Sequence, residues 1–224
     1  ETQVVTAQAF CKARKKLKSE VFESLNRLLQ QQIDHLGLRQ KWRGLRLLAV
    51  DGSTVHLPLE SSMATFFGSH SGLSMARLST LYEIADGQTL HSMIVPLAVG
   101  ERDCAHLHLE HLPADSLTLF DRGYPGHWLF ALFAQQQRHF LMRLPCGYNA
   151  QVKAFLRSGQ VQDTQHFVAS HPEARLFCSE AGVDPASQIK LRLLRVELAN
   201  GESEVLLTSL LDREAFPAEL FAEL

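Results

Sequence analysis

Four cysteines (Cys11, Cys104, Cys146 and Cys178) are scattered along 224 residues with no CxxC pair and no short even spacing. That scarcity excludes a zinc ribbon and a disulfide framework, and it suits a reducing cytosol. No run of 18 or more apolar residues occurs, so nothing in the sequence is expected to span a membrane. A basic-then-apolar signal region is also missing, because Glu1-Thr2-Gln3 leads straight into a polar stretch. No internal repeat or low-complexity tract is present, and the expectation is a cytoplasmic protein.

Hydrophobic residues make up 46% of the chain, enough for one core or for one core with an insertion. A chain of this size buries roughly 70–75% of the surface it exposes when unfolded. The net charge of −2 is unevenly spread: residues 1–46 hold ten Lys/Arg against four Asp/Glu, and the remainder is acidic. A basic head on an acidic body is compatible with a nucleic-acid-facing segment, and equally with a solvated helix face.

Residues 7–17 place Phe10, Ala13 and Leu17 at helical spacing, with Lys12, Arg14, Lys15, Lys16 and Lys18 on the other faces. Ser19 is a candidate N-cap for a second helix that would bury Phe22, Leu25, Leu28, Leu29 and Ile33. Residues 1–44 thus read as a helical, basic lead-in. Strand patterns begin at Leu45–Val50 and Thr54–Leu57, and residues 58–75 read as a loop. Leu78–Ile84 and Leu90–Val99 flank Asp86-Gly87, a two-strand turn signal. Residues 101–112 suit a helix, Ser116–Phe120 a strand, Gly126–Gln137 a helix with Trp128 facing inward, and His139–Leu144 a strand.

This order predicts an α/β fold: an antiparallel meander, a right-handed crossover, and later strands parallel to the first. Residues 45–149 would form that core. A β-rich insertion over 150–211 follows. In it, Val152–Leu156 reads as a helix, Val161–Phe177 carries weak strand signals, and Ile189–Leu198 pairs with Glu204–Leu211 through an Asn200-Gly201 turn. Residues 212–224 begin a helical stretch.

Two aspartates carry the chemistry. Asp51 and Asp121 each close a short apolar strand, in Leu-Leu-Ala-Val-Asp51-Gly52 and Leu-Thr-Leu-Phe-Asp121-Arg122-Gly123-Tyr124. On neighbouring strands their hard oxygens suit Mg²⁺ or Mn²⁺, and such ions serve phosphodiester cleavage. The plainer alternative is that strand-terminal Asp residues start turns. A haloacid-dehalogenase-type phosphatase is disfavoured, because Ala49 stands where the attacking carboxylate is needed. Cys104, His108 and His111 share a helical face beside His106 and could bind zinc, although such triplets more often carry no metal. Tyr124 and Trp128 read as packing residues. Phe167 and Phe177 could stack on a base, with strand packing the commoner role.

Taken as a set, four segments resemble the DDE transposases of bacterial insertion sequences, of the insertion-sequence-four type. They are Phe10–Leu17 with the Glu20–Leu29 helix, Leu47–Pro58, Leu119–Gly126, and Leu206 through Asp212 to Pro217. The resemblance implies a ribonuclease-H-like mixed sheet with flanking helices and an inserted β-domain. It also implies metal-dependent cleavage at transposon ends, followed by strand transfer. The family's first two catalytic aspartates carry over to Asp51 and Asp121, with Mg²⁺ or Mn²⁺ as cofactor. DNA is the implied partner, through Lys12, Arg14, Lys15, Lys16, Lys18 and Arg122, with a homodimer or association with an intact transposase as further partners.

The family's Glu sits in a Tyr-x2-Arg-x3-Glu-x6-Lys pattern that these 224 residues do not contain. Glu214, Glu219 and Glu223 lack that context. The implied reading is a truncated catalytic core that is inactive alone. The alternative is a non-catalytic DNA-binding or dimerising regulator with the same fold.

Overall fold

The computed structural model describes residues 5–198 and 201–224. They fall into two units, Glu1–Arg39 and Gln40–Leu224.

The first unit is helical. Helix α1 (Ala7–Arg14) starts at Thr6, whose Oγ1 accepts from the Ala9 N–H at 3.2 Å. That bond satisfies one of the N–H groups a helix start leaves free. Helix α2 (Glu20–His35) carries Glu20 and Glu23 in its first turn, where acidic groups complement the helix dipole. Ser19 does not cap it. Its backbone is already helical (φ −56°, ψ −36°), whereas a capping side chain needs an extended backbone to reach back to the first turn. The apolar stripe expected to be buried is exposed instead: Phe22, Leu25, Leu28 and Leu29 are 47–63% accessible. Sixteen residues of helix have no second layer of their own to pack against, so periodicity did not translate into burial. Arg39 folds back onto α2, its Nε 2.7 Å from Asp34 Oδ1 and its Nη2 2.6 Å from Gln30 Oε1.

The second unit is built on one sheet. In chain order it contains β1 (Arg46–His56), α3 (Ser61–Phe67), β2 (Ser69–His70), β3 (Leu73–Glu83), β4 (Gln88–Pro96), α4 (Glu101–His108) and β5 (Ser116–Phe120). Then come α5 (His127–Gln135), β6 (His139–Leu144), α6 (Ala150–Ser158), β7 (Gln162–Phe167), α7 (Pro172–Glu180), β8 (Ile189–Glu197) and β9 (Ser203–Thr208). A final 3₁₀ turn covers Ala218–Glu223.

β1, β3 and β4 form an antiparallel meander, while β5 and β6 run parallel to β1. This is the mixed α/β sheet expected from the element order. The strands of residues 150–211 continue the same sheet, β6 pairing with β9, β9 with β8 and β8 with β7. The Asn200-Gly201 turn expected between β8 and β9 falls on Asn200, outside the described residues.

β5 is buried along nearly its whole length because it lies mid-sheet with both faces covered, which is why it reads as a continuous apolar run. One face packs α5 through Phe130, Phe133 and Leu129 onto Phe120, Phe140 and Met142. The other buries Leu117, Leu141, Leu194 and Phe221 beside Trp42. Arg46 and Glu83 form a buried ion pair bracing β1 against β3 (2.6 and 2.8 Å).

Three local expectations are corrected. Residues 58–75 hold α3, β2 and the start of β3 rather than a loop. α3 has seven residues, too short to be stable alone, and is tied in by Leu97 N–H to Phe67 O at 2.7 Å. Val161–Phe177 is half strand and half helix: α7 begins with Pro172 at its first turn, a position proline favours. The helical stretch expected from Asp212 is a turn, because Asp212 Oδ1 takes the N–H groups of Glu214 and Ala215 (2.9 and 3.0 Å).

Candidate active site

β1 and β5 are paired in parallel up to Ala49 opposite Leu119. Two residues further along each chain stand Asp51 and Asp121, both exposed on these adjacent strands; β5 ends just before Asp121, whereas β1 does not close at Asp51 as expected but runs on to His56, with Asp51 opposite Thr80 of β3. At Asp121 the apolar run ends where the backbone leaves the sheet for Arg122-Gly123; at Asp51 the apolar run ends but the strand continues, held by its pairing with β3. Asp51 Oδ1 accepts from Gly52 N–H and Asp121 Oδ1 from Gly123 N–H, both at 2.8 Å. One oxygen of each carboxylate is thus held by a backbone N–H one or two residues further along the chain.

Two further groups stand at this end of the sheet, and neither was singled out as chemistry from the sequence. Glu101 opens α4, and its side chain lies against both glycines. A Cβ on Gly52 would meet Glu101 Cγ at 3.1 Å, and a Cβ on Gly123 would lie 3.7 Å from Glu101 Oε2 and 3.1 Å from Asp121 Oδ1. Arg77 on β3 pairs with Glu101 Oε1 at 2.7 Å and donates to Val99 O at 2.7 Å. Arg102 Nε donates to Gly123 O at 2.9 Å and steadies the loop after Asp121.

The second group is Tyr124, which does pack as expected, 1% exposed and 5.1 Å from the Phe120 ring. Its hydroxyl, however, is buried and has no hydrogen-bond partner among the described residues. Burial pushes the phenol up strongly, and the charges of Glu101, Asp51 and Asp121 push it further. Sequence could have offered one hint for Glu101, an acid directly after Gly100 at a helix start.

On the other side, Asp51 and Asp121 border a cleft of about 520 Å³ with Arg143 and Glu204 on one wall and Leu119, Leu141, Leu206 and Phe221 below. Arg122, expected as a DNA contact, donates to Glu204 Oε1 at 2.6 Å, and Arg143 binds the same oxygen. Burial alone would raise the Glu204 carboxyl, but hydrogen bonds from Arg143 and Arg122 outweigh it and hold it low. The Arg122 guanidinium is correspondingly raised, chiefly by its hydrogen bond to Glu204.

Lys12 and Arg14 lie on α1, with Lys15, Lys16 and Lys18 just after it, all exposed and all in the helical unit. The zinc triplet is not assembled. Cys104 and His108 are buried, while His111 stacks on His91 with ring centroids 3.7 Å apart. His108 bonds Ser79 Oγ (3.0 Å) and His91 (2.9 Å), and burial followed by His91 and His111 pushes its pKa down to about 4. Phe167 is buried and Phe177 partly exposed; both line a separate cavity of about 320 Å³ with Trp128 and Tyr148. Among the described residues, no three His, Cys, Asp or Glu side chains form a ready-made metal cage. The described helices include none long and apolar enough to cross a membrane.

No family model matches the chain. It is similar to InsZ of Escherichia coli (strain K12), which carries the name of a transposase. The two are 27% identical over 114 residues, which is 47% of this chain and 38% of that protein. Among solved structures, it is similar to a piggyBac transposase synaptic complex with hairpin DNA, at TM-score 0.43 and 8% identity, over 75% of this chain and 34% of that one. It is also similar to Ciona intestinalis endonuclease V bound to inosine-containing DNA, at TM-score 0.31 and 9% identity, over 86% and 83% of the two chains. The match to the catalytic domain of human endonuclease V has TM-score 0.29 and 13% identity, over 85% and 82%.

Proposed function

We propose that residues 40–224 are the catalytic core of a DDE-type transposase of the insertion-sequence-four type, with Asp51 and Asp121 as the first two ligands of Mg²⁺ or Mn²⁺. One observation carries this reading: the two carboxylates stand at matched positions on neighbouring parallel strands, two residues past the Ala49–Leu119 pair, each with one oxygen hydrogen-bonded to a backbone N–H just beyond it. Hard carboxylate oxygens suit a hard divalent cation, which supplies positive charge to a phosphodiester under attack. Asp51 and Asp121 hold and orient it, and Arg102 fixes the loop that carries Asp121.

The parent reaction is hydrolysis at a transposon end followed by attack of the freed 3′-hydroxyl on target DNA. The chain spans 38% of the length of the relative it matches, and the family's Glu pattern is not among its residues. By itself it therefore cuts DNA little or not at all. The test pairs a nicking assay on linear DNA with Mn²⁺ titration of the chain, Asp51→Ala and Asp121→Ala. Background cutting by all three, with Mn²⁺ binding lost in both variants, is the expected result. Undiminished Mn²⁺ binding in the variants rejects the site.

A second reading draws on the exposed basic residues of α1 and the exposed apolar stripe of α2. It is a DNA-binding, self-associating or transposase-associating regulator in the bacterial cytoplasm. Salt-sensitive DNA retention without turnover separates it from the first.

A further inference from the structure

We propose that Arg143 and Arg122 form a phosphate-binding clamp beside the two aspartates, taking a phosphodiester of the DNA backbone, and that Glu204 holds its place in the DNA-free chain. This rests on the DNA-cleaving reading above and assigns two residues, Arg143 and Glu204, that lie outside both aspartate motifs.

Strand register brings the side chains together. Ala49 of β1 lies opposite Leu119 of β5, and Leu119 lies opposite Leu141 of β6. Two residues further along each chain, where a strand returns to the same face, stand Asp51, Asp121 and Arg143. Leu206 of β9 pairs with Arg143, and Glu204 stands two residues before Leu206, again on that face. Leu119, Leu141 and Leu206 belong to one buried cluster, as a shared face requires. Neighbouring strands lie about 4.8 Å apart, so Arg143 springs from one strand beyond Asp121 and two beyond Asp51. Asp51, Asp121, Arg143 and Glu204 all line the cleft of about 520 Å³.

Both arginines already grip an oxygen anion. Arg122 reaches Glu204 Oε1 through Nη2 at 2.6 Å, and Arg143 reaches the same oxygen through Nε at 2.8 Å and through Nη2. The Glu204 side chain is 8% exposed, whereas those of Arg122 and Arg143 are 52% and 48% exposed. Two guanidiniums on one carboxylate leave the cluster at +1. Arg122 Nε and Nη1 and Arg143 Nη1 have no protein acceptor among the described residues. A guanidinium fork matches carboxylate and phosphate oxygens alike, so donors held together by Glu204 are preorganised for a phosphate.

A purely structural brace would need no surplus of cationic donors and no opening onto the aspartates. Asp51 and Asp121 by themselves repel a phosphodiester entering the cleft, and the two guanidiniums offset that repulsion from the adjacent strand and loop.

The test is binding of a fluorescein-labelled linear duplex to the 224-residue chain, read by anisotropy over a salt series with and without Mn²⁺, with circular dichroism confirming the fold of each variant. Arg143→Gln is expected to weaken binding several-fold and to lower the slope of log affinity against log salt by about 0.9, the share of one phosphate. Arg143→Lys keeps the charge but gives up the fork, so the slope should hold while affinity falls. Glu204→Gln keeps the shape of the side chain and removes its charge. Binding should then tighten several-fold, and the gain should vanish when Arg122 and Arg143 are both changed to Gln. Glu197→Gln, which removes an exposed charge from the neighbouring strand β8, should change affinity far less.

Parent-like affinity and slope in both Arg143→Gln and Arg122→Gln overturn the clamp. A gain from Glu204→Gln that survives in the double arginine variant, or that Glu197→Gln matches, also overturns it, since net charge alone then explains the effect. The aspartate site is judged separately. If Mn²⁺ tightens binding no more in the parent than in Asp51→Asn and Asp121→Asn, the cation reading fails, while the arginine variants still decide the clamp.

Discussion

Arg46 grips Glu83 with two nitrogens, Nε to Oε1 at 2.6 Å and Nη2 to Oε2 at 2.8 Å, and the Glu83 side chain is fully buried. The pair ties the first residue of β1 to the last residue of β3, five residues before Asp51 on the same strand. Removing one partner strands the other charge in a low-dielectric interior, the costly way to break a buried pair. We predict that Glu83→Ala destabilises the protein by about 3–5 kcal/mol in urea unfolding. A loss below about 1 kcal/mol, the scale of an exposed pair, would show that water reaches Arg46.

On the proposed reading, Asp51 and Asp121 share a cation and repel each other when it is absent. Asp51→Asn and Asp121→Asn should therefore keep or slightly raise the metal-free melting temperature. The parent chain should gain about 2.7 kcal/mol of stability at a hundredfold Mn²⁺ excess over its dissociation constant, and the variants should gain almost none. Thermal melts with and without Mn²⁺ decide this.

Acid should loosen the fold through buried imidazoles. Burial, then His91 and His111, holds His108 down to about 4, against an ordinary value of 6.5. Between those pH values the unfolded chain takes up a proton that the folded protein refuses. Stability from His108 is therefore complete above about pH 6.5 and drains away as pH falls toward 4, by about 3 kcal/mol in all. His127 and His139, also lowered by burial, add in the same direction. His108→Gln should flatten the slope over this window; an unchanged slope would mean that other groups set the acid sensitivity.

DNA retention should depend on α1 and the turn after it. Reversing Lys12, Arg14, Lys15, Lys16 and Lys18 to Glu should abolish low-salt binding. Single replacements should reduce the slope of log affinity against log salt by about 0.9 for each phosphate no longer neutralised. Filter binding from low to moderate salt measures it, and a slope indifferent to these residues removes them from the interface.

Much of the core was legible because local chemistry and tertiary demand coincide there. β5 and β6 begin and end as read, since a strand covered on both faces must be apolar throughout and must stop where Asp121 or Pro145 interrupts the run. Asp86-Gly87 marked the β3–β4 hairpin because its backbone needs a positive φ that glycine adopts freely, +65° here. α3 and α7 were not legible. Each is two turns or so of residues with mixed preference, and packing against the sheet or a neighbouring helix supplies what propensity does not.

At the site, the aspartates announced themselves because each ends its own apolar run. Their meeting depends on the right-handed crossover that sets β5 beside β1. The approach of Glu101 to Gly52 and Gly123 and the capture of Arg122 by Glu204 join residues about 20 to 80 positions apart. Linear spacing carries no record of such meetings, because they exist only once the sheet has brought its strand ends together.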